Sequence, residues 1–134
     1  MALQRLTPDG LFKPTAYTQV VVASGRRIVF VSGQVSMDAG GKLVAPGDFA
    51  GQARQVYANL RAALEGAGVA PANVAKLTTY VVGYKPELRS SLAAARTMIF
   101  GAAELPASTL VGVQALAEPG YLLEVEAIAV SDNA

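Results

Sequence analysis

The chain has 134 residues, 52% of them apolar, enough for one core and too few for two ordinary domains, so residues 1–134 are expected to form a single domain. Eleven basic residues against ten acidic ones leave a formal charge of +1, without the excess that draws a protein to nucleic acid or to an anionic membrane. The absence of cysteine and histidine excludes disulfides, thiolate nucleophiles, Ser-His-Asp triads and nearly all zinc sites.

Any acid-base work therefore falls to carboxylates, Tyr, Lys, backbone groups or bound water, and no metal or cofactor is expected. The opening stretch from Met1 to Gly10 lacks a basic region followed by a long apolar run, and no later stretch is apolar for long enough to span a bilayer. A cytoplasmic protein is the expectation.

In chain order, residues 17–23 are β-branched and aromatic-rich, Ser24-Gly25-Arg26-Arg27 supplies a turn, and Ile28 to Ser32 is a second apolar run; together they predict a hairpin. Gly40-Gly41 and Pro46-Gly47 punctuate the loop that follows. From Asp48 the period becomes helical. Phe49, Ala53, Val56, Tyr57, Leu60, Ala63, Leu64 and Ala67 recur at three- and four-residue steps, while Gln52, Arg54, Gln55, Arg61 and Glu65 take the other face. Asp48 suits the N-cap, and Gly66 or Gly68 the end.

Val74 to Val82 alternates as a strand, with Leu77, Thr79 and Val81 on one side and Lys76, Thr78 and Tyr80 on the other. A second helix runs from about Pro86 to Phe100 on a stripe of Leu88, Leu92, Ala95 and Ile99, and two strands, about 107–114 and 121–130, close the chain. The order is ββαβαββ. No glycine fingerprint for dinucleotide or phosphate appears.

Two helices cover one face of such a sheet, leaving the other for water or a partner. In the last strand Leu123, Val125, Ala127 and Ala129 fit beneath the helices. Leu122, Glu124, Glu126, Ile128 and Val130 share the opposite face, with the two carboxylates roughly 7 Å apart at the usual strand rise. Aliphatic residues beside carboxylates on that face imply an oligomer that buries it, with Glu124 or Glu126 near the interface.

Several short motifs in order resemble the YjgF/Rid family, formerly the L-PSP endoribonuclease family: Tyr17, Val31-Ser32-Gly33-Gln34, Gln52-Ala53-Arg54, Leu77 to Val81, Pro106-Ala107, and Leu123 to Ala129. The likeness covers nearly the whole chain. It implies an α+β, chorismate-mutase-like fold, a mixed sheet with two helices on one face, and a homotrimer with small-molecule sites in clefts between subunits. It also implies hydrolysis of reactive enamines and imines, released from amino acids by pyridoxal-phosphate enzymes, to 2-keto acids and ammonia.

Carried over by position, Glu124 matches a water-positioning Glu, Tyr17 a cleft-lining Tyr, and Ser32 and Gly33 a loop whose backbone faces ligand. Where the family pattern places a carboxylate-clamping Arg after Pro-Ala, this chain has Ser108, followed by Thr109; a helix position that often carries a ligand-contacting Asn is Ala93. Losing a bidentate guanidinium is not a conservative change. Ser108 and Thr109 either hydrogen-bond a differently shaped ligand or are satisfied by backbone.

Two readings stand: a cofactor-free hydrolase or tautomerase of a small imine, enamine or related metabolite, and a trimer that binds a small molecule without converting it. The old ribonuclease label fits poorly with no His and a near-neutral charge. Glu126 is expected to be structural. Arg96 is expected on the solvated helix face, the alternative being that it turns into the cleft in place of the missing Arg.

Overall fold

The computed structural model describes residues 2–101 and 104–132. They form β1 (Ala2–Leu6), β2 (Val20–Ser24), β3 (Arg27–Gln34), α1 (Phe49–Gly66), β4 (Val74–Val82), α2 (Arg89–Phe100), β5 (Ala107–Val113) and β6 (Leu123–Ser131), with 3-10 turns at Pro71–Asn73 and Pro86–Leu88. The main sheet has the order β3-β6-β4-β5. Within this sheet β4 and β5 run parallel, and α2 is the crossover such a pair requires. No helix among the described residues is long and apolar enough to cross a membrane.

The expected arrangement of two helices on a mixed sheet holds, with one strand more and one pairing different. Residues 2–6 form a strand that the sequence pattern does not announce, and β2 pairs with it, from Ala2↔Ser24 to Leu6↔Val20. The expected hairpin between residues 17–23 and 28–32 is therefore absent. β3 joins β6 instead, from Arg27↔Ser131 onward. Gly25 explains the route: a Cβ built there would lie 2.8 Å from the Ser131 carbonyl oxygen and from a Val130 methyl, so the turn lies hard against the end of β6. A turn motif marks where the chain bends; it does not say which strands pair.

Asp48 caps α1 by accepting a hydrogen bond from the Gly51 N–H at 3.0 Å. The helix ends in a Schellman arrangement. Gly68, at φ +71°, donates its N–H to the Glu65 carbonyl, and the Val69 N–H reaches Leu64. The apolar stripe of α1 lies over β3 and β6, and Val56, Leu60, Leu64, Leu77, Val81, Leu123 and Val125 are buried in one core. Truncating a residue such as Leu60 to Ala typically costs about 2–5 kcal/mol.

Gln52 departs from its expected place on the polar face, being fully buried. Its Nε2 donates to the carbonyls of Gly120 at 2.9 Å and Ala45 at 3.3 Å, while its Oε1 accepts from the Leu122 N–H at 3.0 Å. One amide thus ties the first turns of α1 to the two loops that frame it. On the opposite face of the sheet Ile28 and Phe30 are 62% and 74% exposed, opposite Val130 and Ile128.

Candidate functional site

The open face presents one cluster. Val31 pairs with Ala127 and Gln34 with Val125, so Ser32 and Gly33 form a bulge opposite Glu126. Gly33 serves its neighbour rather than its own backbone. A Cβ at this position would fall on the Glu124 carboxylate, so the missing side chain is the space that carboxylate occupies.

Tyr80 pairs with Glu124 and Thr78 with Glu126 across β4 and β6. The Tyr80 hydroxyl donates to Glu126 Oε1 at 2.5 Å. That hydrogen bond, then desolvation and the charges of Glu126 and Glu124, raise the Tyr80 pKa above its usual 10. Glu126 is thus engaged within its own sheet. No donor among the described residues is bonded to Glu124, which leaves its lone pairs for water or ligand.

The second cluster lies on the other side. Ser108 pairs with Leu77 and Leu110 with Thr79, both under the helices, so these β5 side chains face α2. Between α2 and β5 is a cavity of about 580 Å³ reached by Ser108, Leu110, Leu92, Arg89 and Arg96. Tyr17 reaches it from a bent segment ahead of β2, not from within a strand as the sequence suggested. Its neighbour Thr18 fixes it there: the Thr18 N–H donates to the Pro106 carbonyl at 3.0 Å and Oγ1 to Leu105 at 2.5 Å.

Behind the cavity, Tyr57 is buried and its pKa is pushed up to about 12 by desolvation, against the lowering effects of the Arg96 charge and of a hydrogen bond with Thr79.

Three sequence expectations meet a different geometry. Thr109 does not share a face with Ser108: it pairs with Thr78 on the open face and accepts a hydrogen bond from Lys76 Nζ at 2.7 Å. Arg96 is not on a solvated helix face but half-buried at the cavity. The candidate residues do not form one site within a subunit: Ser32, Gly33 and Glu124 cluster on the open face, Tyr17 and Ser108 on the helix side. Sequence reasoning passed over Tyr80, whose even register with Glu124 and Glu126 was a readable signal.

The family model described as Endoribonuclease L-PSP matches residues 11–131. The 2-iminobutanoate/2-iminopropanoate deaminase of Rattus norvegicus is 36% identical over 115 residues, 86% of this chain and 80% of that protein. The chain belongs to this family, the Rid/YjgF family. Among solved structures, a Rid-family protein of unknown function from Yersinia pestis, YyfB, matches with a TM-score of 0.90 at 35% identity, over 97% of this chain and 99% of that one. The YjgF gene product of E. coli matches at 0.65 and 31% identity, over 85% and 87%. The α+β arrangement described above is thus the Rid/YjgF fold, and position 108 of this Rid protein carries Ser.

Proposed function

We propose that this Rid protein is a cytoplasmic homotrimer that hydrolyses a small reactive imine or enamine without metal or cofactor, in clefts between subunits. The observation that carries the reading is Glu124: a carboxylate with no bonded donor among the described residues, held over a glycine whose missing side chain gives it room. The relative named as an iminobutanoate and iminopropanoate deaminase supplies the reaction class.

The chemistry asks little of the protein. An enamine such as 2-aminoacrylate first gains a proton at its terminal carbon and becomes the iminium, the protonated imine. Water adds to the imine carbon, forming a C–O bond as the C=N π pair moves to nitrogen, and Glu124 takes the proton that water sheds. Glu124 passes that proton to the nitrogen, and the carbinolamine collapses: the hydroxyl gives up its proton to Glu124 as the C=O bond forms, the C–N bond breaks, and ammonia and the keto acid are left. A positioned carboxylate typically contributes about 10²–10⁴-fold to such a step.

A trimer gives the two clusters a way to meet. The exposed Ile28 and Phe30 share the open face with Glu124 and offer a neighbouring copy an apolar surface to cover; the shared cleft then joins one subunit's Glu124 to another's Ser108 and Tyr17.

The test is an assay in which an amino-acid lyase generates 2-aminoacrylate in place and keto-acid release is followed. Wild type should accelerate release, and Glu124→Ala should lower that acceleration at least about 100-fold while sedimenting as the same oligomer. Equal rates for the two remove Glu124 from the mechanism, and a monomer removes the shared cleft. Ser108 in place of Arg favours one rival, a trimer that binds without converting, which would return the ligand unchanged.

A further inference from the structure

Two guanidinium groups and no carboxylate line the cavity between α2 and β5. On α2, Arg89, Ala93 and Arg96 follow at i, i+4 and i+7, so they share one stripe of the helix, and the small Ala93 leaves the space between two long side chains open. Arg89 is occupied, its Nε donating to the Tyr84 hydroxyl at 2.8 Å.

Arg96 is not. Its Nε is buried and has no hydrogen-bond partner, and no carboxylate among the described residues pairs with it. A buried donor left unmade is costly, and a half-buried guanidinium at a cavity wall with no carboxylate beside it is open to an anion. Here the space in front of it is a cavity of about 580 Å³, well inside the range of small-molecule sites.

We propose that Arg96 binds the carboxylate of the ligand, so that the guanidinium comes from α2 rather than from position 108. The planar fork of Arg96 pairs with both carboxylate oxygens. The body of the ligand rests on Leu92 and Leu110, and its second polar atom meets the Ser108 hydroxyl or Tyr17. The cavity therefore selects small monocarboxylates over neutral molecules of the same shape. Naming the ligand a 2-oxo or 2-imino acid rests on the imine-hydrolysis reading above; the anion site itself rests on Arg96.

The experiment is calorimetric titration of the full chain with pyruvate and with its neutral amide, pyruvamide, for wild type, Arg96→Gln, Arg96→Lys and Arg61→Gln. Arg61 controls for loss of one positive charge elsewhere, since it pairs with Glu65 at 3.4 Å on the exposed side of α1. Wild type should bind pyruvate in preference to pyruvamide. Arg96→Gln should lose at least about tenfold in pyruvate affinity and lose that preference, while Arg61→Gln keeps both.

Pyruvate binding in Arg96→Gln equal to wild type overturns the proposal, as does a wild type that does not prefer pyruvate. Should Arg96→Gln fail to fold, Arg96→Lys decides: it keeps the charge but not the fork, so a severalfold loss supports the proposal and an unchanged affinity overturns it. None of these titrations needs turnover. Binding through Arg96 without imine hydrolysis would sink the reaction and leave the carboxylate site standing; hydrolysis with unaltered KM in Arg96→Gln would do the reverse.

Discussion

On the open face Glu126 receives the Tyr80 hydroxyl and Glu124 fills the space left by Gly33, all on strands whose register fixes them; on the helix side Tyr17, Ser108 and Arg96 come from three separate elements and one guanidinium is unpartnered. The first arrangement leaves each carboxylate one place to be. The second places a long, adaptable side chain over a cavity. The open face should therefore respond sharply to the smallest added volume, and the helix side in proportion to the charge and hydrogen bonds removed.

The largest effect should come from Gly33→Ala. Gly33 does not adopt a positive φ, so the backbone accepts Ala, and the new methyl acts only by evicting the Glu124 carboxylate. In the 2-aminoacrylate assay the loss should be at least about 100-fold, with far-ultraviolet dichroism and oligomeric state preserved. Turnover within threefold of wild type would break the idea that register holds Glu124 in a working position.

Tyr57 gives an effect of middle size and reports on the helix side. Its pKa of about 12 in the folded protein lies above the ordinary 10 of the unfolded chain. Above pH 10 the unfolded state releases a proton that the folded state keeps. Stability therefore falls as pH rises from 10 toward 12, by about 2–3 kcal/mol once the shift is fully expressed. Tyr57→Phe lacks this loss. In urea denaturation at pH 8 the variant should be the less stable by about 1 kcal/mol, for want of the hydrogen bond with Thr79. By pH 11 that gap should close. A constant gap would mean that the phenol is not held in a desolvated place beside Arg96.

How legible this was depends on whether a feature is local. The alternation of Leu77, Thr79 and Val81, the Asp48 cap and the stripe of α1 are each written within a few residues, and all three appear as read. The partner of β2 is not local. Nothing between Ser24 and Arg27 tells a hairpin from a bend that delivers β3 to β6 more than ninety residues later, and Ala2 to Leu6 has no alternation to advertise an edge strand.

For the site, the resemblance led to Glu124, Gly33 and Ser108, yet could not say that one subunit keeps them on two sides of its sheet. Gln52 and Arg96 were misplaced for a shared reason: helical periodicity assigns a polar residue to the polar face, and only tertiary packing reveals that a loop or a strand edge comes to meet it.

The smallest predicted effect separates two neighbours. Ser108 and Thr109 read as a pair in sequence, but side chains alternate along a strand, and their partners in β4 fix the sides: Leu77 beneath the helices for Ser108, Thr78 on the open face for Thr109. Ser108→Ala removes one neutral hydrogen bond at the cavity and should weaken pyruvate about 2- to 10-fold, the usual worth of such a bond. Thr109→Val frees Lys76 Nζ into solvent and removes nothing from the cavity, so pyruvate affinity should stay within twofold. Equal losses at the two positions would mean that the ligand reaches both sides of β5. The cavity beside Arg96 would then not be the whole of its site, and the anion would be read by Lys76 as well.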